Sequence, residues 1–472
     1  MTERPYDVAI VGAGVVGAAI ARELARYELA CVLLEASSDV GAGTSKANTA
    51  LLHTGFDAKP GSLEARLVHR GHDLLEEYAA EAGIPLERTG ALLVAWNADQ
   101  LAQLEVIEQN AHTNGYEAGR RVSVDEIYRL EPHLASGALG ALEIPGESII
   151  CAFTTPLAFA TQAVVNGVEL RLDSALIGRS TDEEGLNVLV LAGGREVSSR
   201  YVVNAAGLHS DEVNQMFGHD GFTVVPRRGE LIVFDKGSRQ LVSRILLPVP
   251  TAKTKGMLVA PTVFGNLMVG PTADDIEDKA GTESTPAGTR ALMDKGRTLV
   301  PALMDEEVTA VYAGLRAATE HSDYQIALHA GDRYVCVGGI RSTGLSASMA
   351  IAEHVAELLA EAELELKPKE SFETVRMPNI GEAFVRPYCD AQAIEANPDY
   401  GRIVCHCERV TAGEMLDACR AVIPARSLDG LRRRTRASMG RCQGFYCAAR
   451  VLELLSRSSG RSPGELAELE GQ

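Results

Sequence analysis

Aromatic residues make up only 5% of this 472-residue chain, with a single tryptophan, and cations are outnumbered: Lys+Arg 45 against Asp+Glu 64, a formal net charge of −19. A field of that sign repels phosphate backbones, so nucleic acid is excluded from the expected partners. No apolar run reaches the ~18 residues that a membrane-spanning helix needs. The longest, Val8 to Ala21, stops at Arg22. The first residues carry acids and lead straight into a strand pattern, unlike a secretory signal. The expected location is therefore cytoplasmic, with any membrane contact peripheral and made through a partner. Nine cysteines are too sparse, and odd in number, for a disulfide scaffold. No internal repeat or low-complexity segment occurs. What is present is ordinary globular sequence, 46% hydrophobic and 23% charged, at a length that predicts two or three domains.

Residues 7 to 35 read strand, glycine turn, helix, strand. Gly12-x-Gly14-x-x-Gly17 follows the first strand and opens the helix, and Glu35 ends the second strand 18 residues beyond Gly17. Glycine at these places allows a tight turn, close approach of a pyrophosphate to the helix N-terminus, and packing of the helix on the sheet. Glu35 is placed to accept from ribose hydroxyls. The full pattern with its acid is a dinucleotide fingerprint, and it does not separate FAD from NAD.

Further along, a helix is expected from Asp99 to Asn114, capped by Asp99 and stopped by Gly115. Strands are expected up to Tyr201-Val-Val-Asn-Ala-Ala-Gly207, through Val225 to Asp235 and from Arg333 to Gly338, the last followed by a helix over Ala347 to Glu361. Around residues 362 to 404 the composition turns to Lys, Glu, Pro and Asn with little periodicity, the mark of a linker wrapping toward a tail module.

That tail holds five of the nine cysteines. Cys405-x-Cys407, then 34 residues, then Cys442-x4-Cys447 supply four thiolates, the count for a two-iron two-sulfur cluster. Four cysteines also satisfy a closed zinc site, which stays open as an alternative. Cys419 lies among Leu416 and Val422 on a helical pattern and reads as core, while His406 could be a ligand only by displacing one of the four. Arg432, Arg433, Arg434, Arg436 and Arg441 lie near the second cysteine pair; they either compensate cluster charge, form a docking patch for an acidic partner or make a solvated face.

Five further blocks, six with the N-terminal fingerprint, carry a family resemblance. They are Thr44-Ser45-x-x-Asn48 with Leu52-His53-Thr54-Gly55, Val202 to Gly207, Pro226-Arg-Arg-Gly-Glu230, Ala313-Gly-Leu-Arg316, and Gly338-Gly-Ile-Arg-Ser-Thr-Gly-Leu345, together with the N-terminal fingerprint. In this order the chain resembles the D-amino-acid oxidase superfamily of FAD oxidoreductases. Within it, His53 to Arg66 is most similar to the L-2-hydroxyglutarate oxidases. The tail resembles that of the anaerobic glycerol-3-phosphate dehydrogenase large subunits, a bacterioferritin-associated ferredoxin-like 2Fe-2S domain.

The resemblance implies an α/β fold: a Rossmann-type FAD-binding domain (1–85, 150–215 and 325–365), an inserted α+β substrate domain (86–149 and 216–324), a linker (366–395) and a small helical iron–sulfur domain (396–472). It implies bound FAD, held by Gly12, Gly14, Gly17, Glu35, Thr44, Ser45, Asn48, Ala206, Gly207, Gly339, Gly344 and Leu345. The helix after Gly344 would aim its N-terminal amides at the flavin pyrimidine, where charge develops on reduction. Cys405, Cys407, Cys442 and Cys447 are the implied cluster ligands.

Arg316 is the expected clamp on a substrate carboxylate or phosphate, because a guanidinium fork binds either bidentately; the alternative is a solvated loop arginine. Arg341, Lys253 and Lys255 are secondary candidates. His53 is expected either to take a hydroxyl proton or to pack beside the flavin. The expected activity is oxidation of a small anionic secondary alcohol, a 2-hydroxy acid such as L-2-hydroxyglutarate or glycerol 3-phosphate. Electrons would leave through the cluster to another subunit or a quinone, within a homo- or hetero-oligomer. An amino-acid or opine dehydrogenase and a non-catalytic electron-transfer subunit are the alternatives.

Overall fold

The strand Tyr6–Val11 and its neighbour Cys31–Leu34 are buried almost throughout, as parallel strands covered on both faces must be. The computed structural model describes residues 4–250, 256–382 and 384–468. In it these two strands form the centre of an eight-stranded sheet, with Glu196–Asn204 and Tyr334–Gly338 continuing the parallel run on one side and Glu169–Arg171 on the other. Helices Val15–Leu24 and Gly344–Glu361 pack along each other over this sheet, their small residues Ala18, Ala347 and Ala350 fully or almost fully buried at the core. Both helices begin where the parallel strands end, the usual place for a ligand in such a sheet.

A second, nine-stranded sheet is built around Val225–Phe234, which pairs with Val308–Ala318 from Val225↔Ala318 to Phe234↔Val308. Helix Pro286–Leu299 covers it over Leu292, Leu299 and Ile232. A small three-stranded sheet pairs Leu51–Leu52, Ser148–Ile150 and Leu86–Glu87, its strands interleaved in sequence with those of the nine-stranded sheet. The tail folds around Val410, Met415, Leu431 and Leu455, with helix Ala412–Arg420 started by a capping box between Thr411 and Glu414. This mixed α/β architecture with a helical tail is the expected fold class.

Two expectations need correction. The helix predicted from Asp99 runs over Ala98–Thr113 and is capped by Asn97, whose side chain accepts from the Gln100 amide. An Asx oxygen one residue before the first turn satisfies that orphan donor, while Asp99 lies inside the turn. The linker segment is fastened along its length: Lys369 donates to the Arg26 carbonyl and Met377 to that of Ala82, and Gln162 and Asn166 donate to the Glu373 carbonyl. It is a strap sewn along the first sheet's helices.

The arginine-rich stretch is likewise no open docking patch. Arg433, Arg434 and Arg436 are buried. Arg433 Nη2 and both Arg434 Nη atoms donate to the buried Asp39 carboxylate at 2.6–2.7 Å, and Arg433 Nη1 donates to the Val40 carbonyl at 2.6 Å. Arg436 stacks on Phe264 at 3.9 Å and pairs with Glu408, and Arg441 pairs with Asp235 and Glu307. The charges face inward because they fasten the tail to both sheets.

Candidate functional site

One cavity of about 460 Å³ gathers residues from both large sheets: Gly14, Val15, Thr44, Ser45, Asn48, His53, Gly207, Arg316, Gly344 and Leu345 all line it. Gly12, Gly17, Glu35, Ala206 and Gly339 are absent from its lining and act from behind it. Gly12 has φ +99°, and a Cβ there would meet the Ala205 carbonyl oxygen at 2.5 Å. A Cβ on Gly17 would collide with the Gly12 carbonyl. Glu35 accepts from the Ala13 amide at 2.7 Å and the Ser37 amide at 2.9 Å, so it braces the glycine turn while closing its strand.

Two long helices point their N-termini into this cavity. Neither the helix from Val15 nor that from Gly344 has a side-chain cap on its N-cap residue or an acid in its first turn. Ser45 Oγ accepts from the Val15 amide at 2.9 Å, and the remaining first-turn amides are available to an anionic ligand. A pyrophosphate at the first end and the flavin pyrimidine at the second fit this cradle, so the donor arrangement suits FAD.

His53 lines the same cavity, beside the helix from Gly344. Leu52 pairs antiparallel with Ser148, which brings the next residues outward, His53 and Glu147, face to face. His53 Nδ1 lies 2.9 Å from Glu147 Oε2. The other oxygen of this fully buried carboxylate accepts from the Thr54 amide at 2.8 Å and the Thr54 hydroxyl at 3.0 Å. The His53 amide donates to Ser346 Oγ at 2.8 Å, tying the imidazole to the helix from Gly344. A carboxylate at Nδ1 orients the ring and favours the tautomer that carries its proton there. Nothing in the sequence pattern marks Glu147, which is 94 residues from His53; only a pairing of two very short strands reveals it.

Arg316 stands across the cavity on the strand Val308–Ala318. Its guanidinium has no carboxylate partner among the described residues and makes only long contacts, 3.3 and 3.4 Å, to the Thr272 carbonyl. It occupies space left by the missing side chain of Gly229, where a Cβ would meet Nη2 at 2.9 Å. Burial, with the nearby Arg227 adding to it, pulls its pKa down to about 10. An enclosed cation so poorly matched is suited to an anionic ligand.

Arg341, by contrast, is bound to Glu64, which also accepts from Thr343 Oγ1 at 2.7 Å. Its charge is answered inside the protein. Lys253 and Lys255 lie outside the described residues.

In the tail, Cys405 faces Cys447 and Cys407 faces Cys442. Amides of Ser438 and Glu408 point at the Cys405 sulfur, and those of Gly444, Phe445 and Tyr446 at Cys442. Left-handed backbone at Arg409, Ser438, Gln443 and Gly444 turns these N–H groups inward. Burial pushes the Cys405 thiol up to about 11, whereas the amides hold that of Cys442 below its ordinary value. Two facing pairs suit two iron atoms, and among the described residues no three donors converge as a single-ion site. Cys419 packs against the tail core and His406 is exposed.

Comparison with known proteins agrees with these two centres. Residues 7–358 match the family of FAD dependent oxidoreductases, and residues 403–457 match the BFD-like [2Fe-2S] binding domain. A glycerol 3-phosphate dehydrogenase of Caloramator mitchellensis is 34% identical over 470 residues, 98% of this chain and 96% of that protein. The mitochondrial L-2-hydroxyglutarate dehydrogenase of Bos taurus is 28% identical over 304 residues, 61% of this chain and 65% of its own. The dithionite-reduced L-alpha-glycerophosphate oxidase of Mycoplasma pneumoniae, solved with FAD bound, superposes with a TM-score of 0.75 at 28% identity, covering 80% of this chain and 100% of that one. The chain belongs to the FAD dependent oxidoreductases, with a [2Fe-2S] domain as its second redox module.

Proposed function

We propose that the protein is a glycerol-3-phosphate dehydrogenase whose electrons leave through the tail. The observation that carries this reading is the pairing, across one cavity, of an unanswered guanidinium on Arg316 with a proton acceptor on His53. The near full-length similarity to a glycerol 3-phosphate dehydrogenase supports it, because that match includes the tail.

FAD, when bound, supplies the hydride acceptor. Arg316 draws the phosphate to one end of the cavity and thereby turns the secondary carbinol toward the flavin side. His53 Nε2 takes the hydroxyl proton, and Glu147 stabilises the imidazolium that results. A 2-hydroxy acid meets the same two groups and remains the second reading, supported by the partial similarity to L-2-hydroxyglutarate dehydrogenases. An amine substrate would need no base, so the buried His53–Glu147 dyad weighs against it. Cys405, Cys407, Cys442 and Cys447 would hold a two-iron cluster, which would supply one-electron transfer toward a quinone or another subunit.

Anaerobic mixing of the loaded protein with glycerol 3-phosphate, L-2-hydroxyglutarate and proline tests the reading. Rapid flavin bleaching by glycerol 3-phosphate is expected. Bleaching by proline alone would overturn it.

A further inference from the structure

Three charged side chains form one row across the second sheet. Arg227 lies directly opposite Arg316 on one neighbouring strand and directly opposite Asp275 on the other. Opposed residues on antiparallel strands share a face, so the row reads Asp275, Arg227, Arg316. Arg227 and Arg316 both line the cavity; Asp275 stands outside it, on the neighbouring cleft that Arg227 also borders. Arg227 forms a two-pronged pair with Asp275, Nε at 2.6 Å and Nη2 at 3.1 Å.

Among the described residues the other nearby cations have carboxylate neighbours: Arg341 pairs with Glu64, and Arg228 lies 3.8 Å from Glu230, whose carboxylate also accepts from Thr285. From this row we infer that Arg227 is a second anion arm, which leaves Asp275 to join Arg316 on a doubly charged phosphate and so selects phosphate monoesters over monocarboxylates at the reacting end. The inference rests on the glycerol 3-phosphate reading of the same cavity.

The balance of interactions favours this exchange. Both members of the Asp275–Arg227 pair are well exposed, with side chains 53% and 39% accessible, and an ion pair in such a setting is worth little. The two guanidiniums repel each other across the strands until an anion lies between them. A monocarboxylate answers one charge. A phosphate monoester, whose second pKa is near 6, answers both at neutral pH.

The test is anaerobic flavin reduction in the FAD-loaded protein as a function of glycerol 3-phosphate concentration, with inorganic phosphate as a competitor. Arg227→Met is expected to raise the apparent Kd for glycerol 3-phosphate by about tenfold or more, as loss of a guanidinium–phosphate contact does, with the limiting rate nearly unchanged. It should weaken competition by inorganic phosphate in parallel. It should also flatten the gain in affinity that the natural protein shows as pH rises through about 6, the second phosphate ionisation. Arg227→Lys should recover part of the loss, and Asp275→Asn, which frees the arm, should tighten binding.

An Arg227→Met protein with unchanged Kd and pH profile, or one that loses rate but not affinity, overturns the inference and leaves the proposed function standing. If glycerol 3-phosphate fails to reduce the natural protein, the functional reading falls. Arg227-dependent binding of inorganic phosphate would then still uphold the anion arm, and Arg227-independent binding would refute it.

Discussion

Asp39→Asn should loosen the iron–sulfur domain from the flavin domain. The Asp39 carboxylate receives three hydrogen bonds from Arg433 and Arg434, and all three side chains are 7% accessible or less. Removing one member of such a buried charge network costs about 3–5 kcal/mol, because the guanidiniums stay behind unanswered. Arg433 keeps Asp429 and the Val40 carbonyl, and Arg434 keeps the Ile423 and Gly430 carbonyls, which puts the expected loss at the lower end.

About 3 kcal/mol shifts the docked-to-undocked ratio by roughly two orders of magnitude. Limited proteolysis of the strap reads that shift, since undocking loosens this already largely exposed segment and cleavage releases the tail as a fragment. FAD affinity should fall as well, because Gly41, two residues on, donates to the Ala13 carbonyl in the glycine turn. The double variant with Arg434→Met should lose less than the sum of the single losses. Cleavage at the natural rate, with simple additivity in the double variant, would refute the clamp.

Other perturbations follow from the same geometry. Glu147→Gln should lower the limiting rate of flavin reduction by about 10²–10⁴-fold, the usual scale for a lost base, with substrate affinity little changed; stopped-flow kinetics at saturating substrate measure it, and an unaltered rate removes the dyad from the chemistry. Arg316→Met should abolish reduction by glycerol 3-phosphate yet raise the thermal stability of the substrate-free protein by up to ~1 kcal/mol, since an apolar side chain of similar length replaces a half-buried cation with no carboxylate partner among the described residues; a lowered Tm would show that Arg316 is paired in solution. Cys442→Ser should erase the visible absorbance of the cluster while substrate still bleaches the flavin; loss of both would mean that the tail is required for folding.

Local rules made much of this molecule legible in its sequence. The glycine turn, the acid at Glu35 and the uncapped helix from Gly344 are contiguous signals, each with one physical meaning, and the cysteine spacing marks the tail. What escaped depends on distant contacts. Glu147 meets His53 through the pairing of Leu52 with Ser148, which leaves no periodic trace. The arginines of 432–441 look like a solvated basic face because their acids, Asp39, Asp235 and Glu307, lie in other domains. The cap at Asn97 rather than Asp99 is a two-residue error of the kind expected where Asx residues lie close together.

The most direct measurement is rapid anaerobic mixing of the FAD- and cluster-loaded protein with glycerol 3-phosphate, following flavin and cluster absorbance together. The account predicts immediate flavin bleaching followed by cluster reduction at a rate independent of protein concentration, as transfer within one chain requires. A flavin that stays oxidised, or a cluster reduced only in proportion to protein concentration, would contradict it.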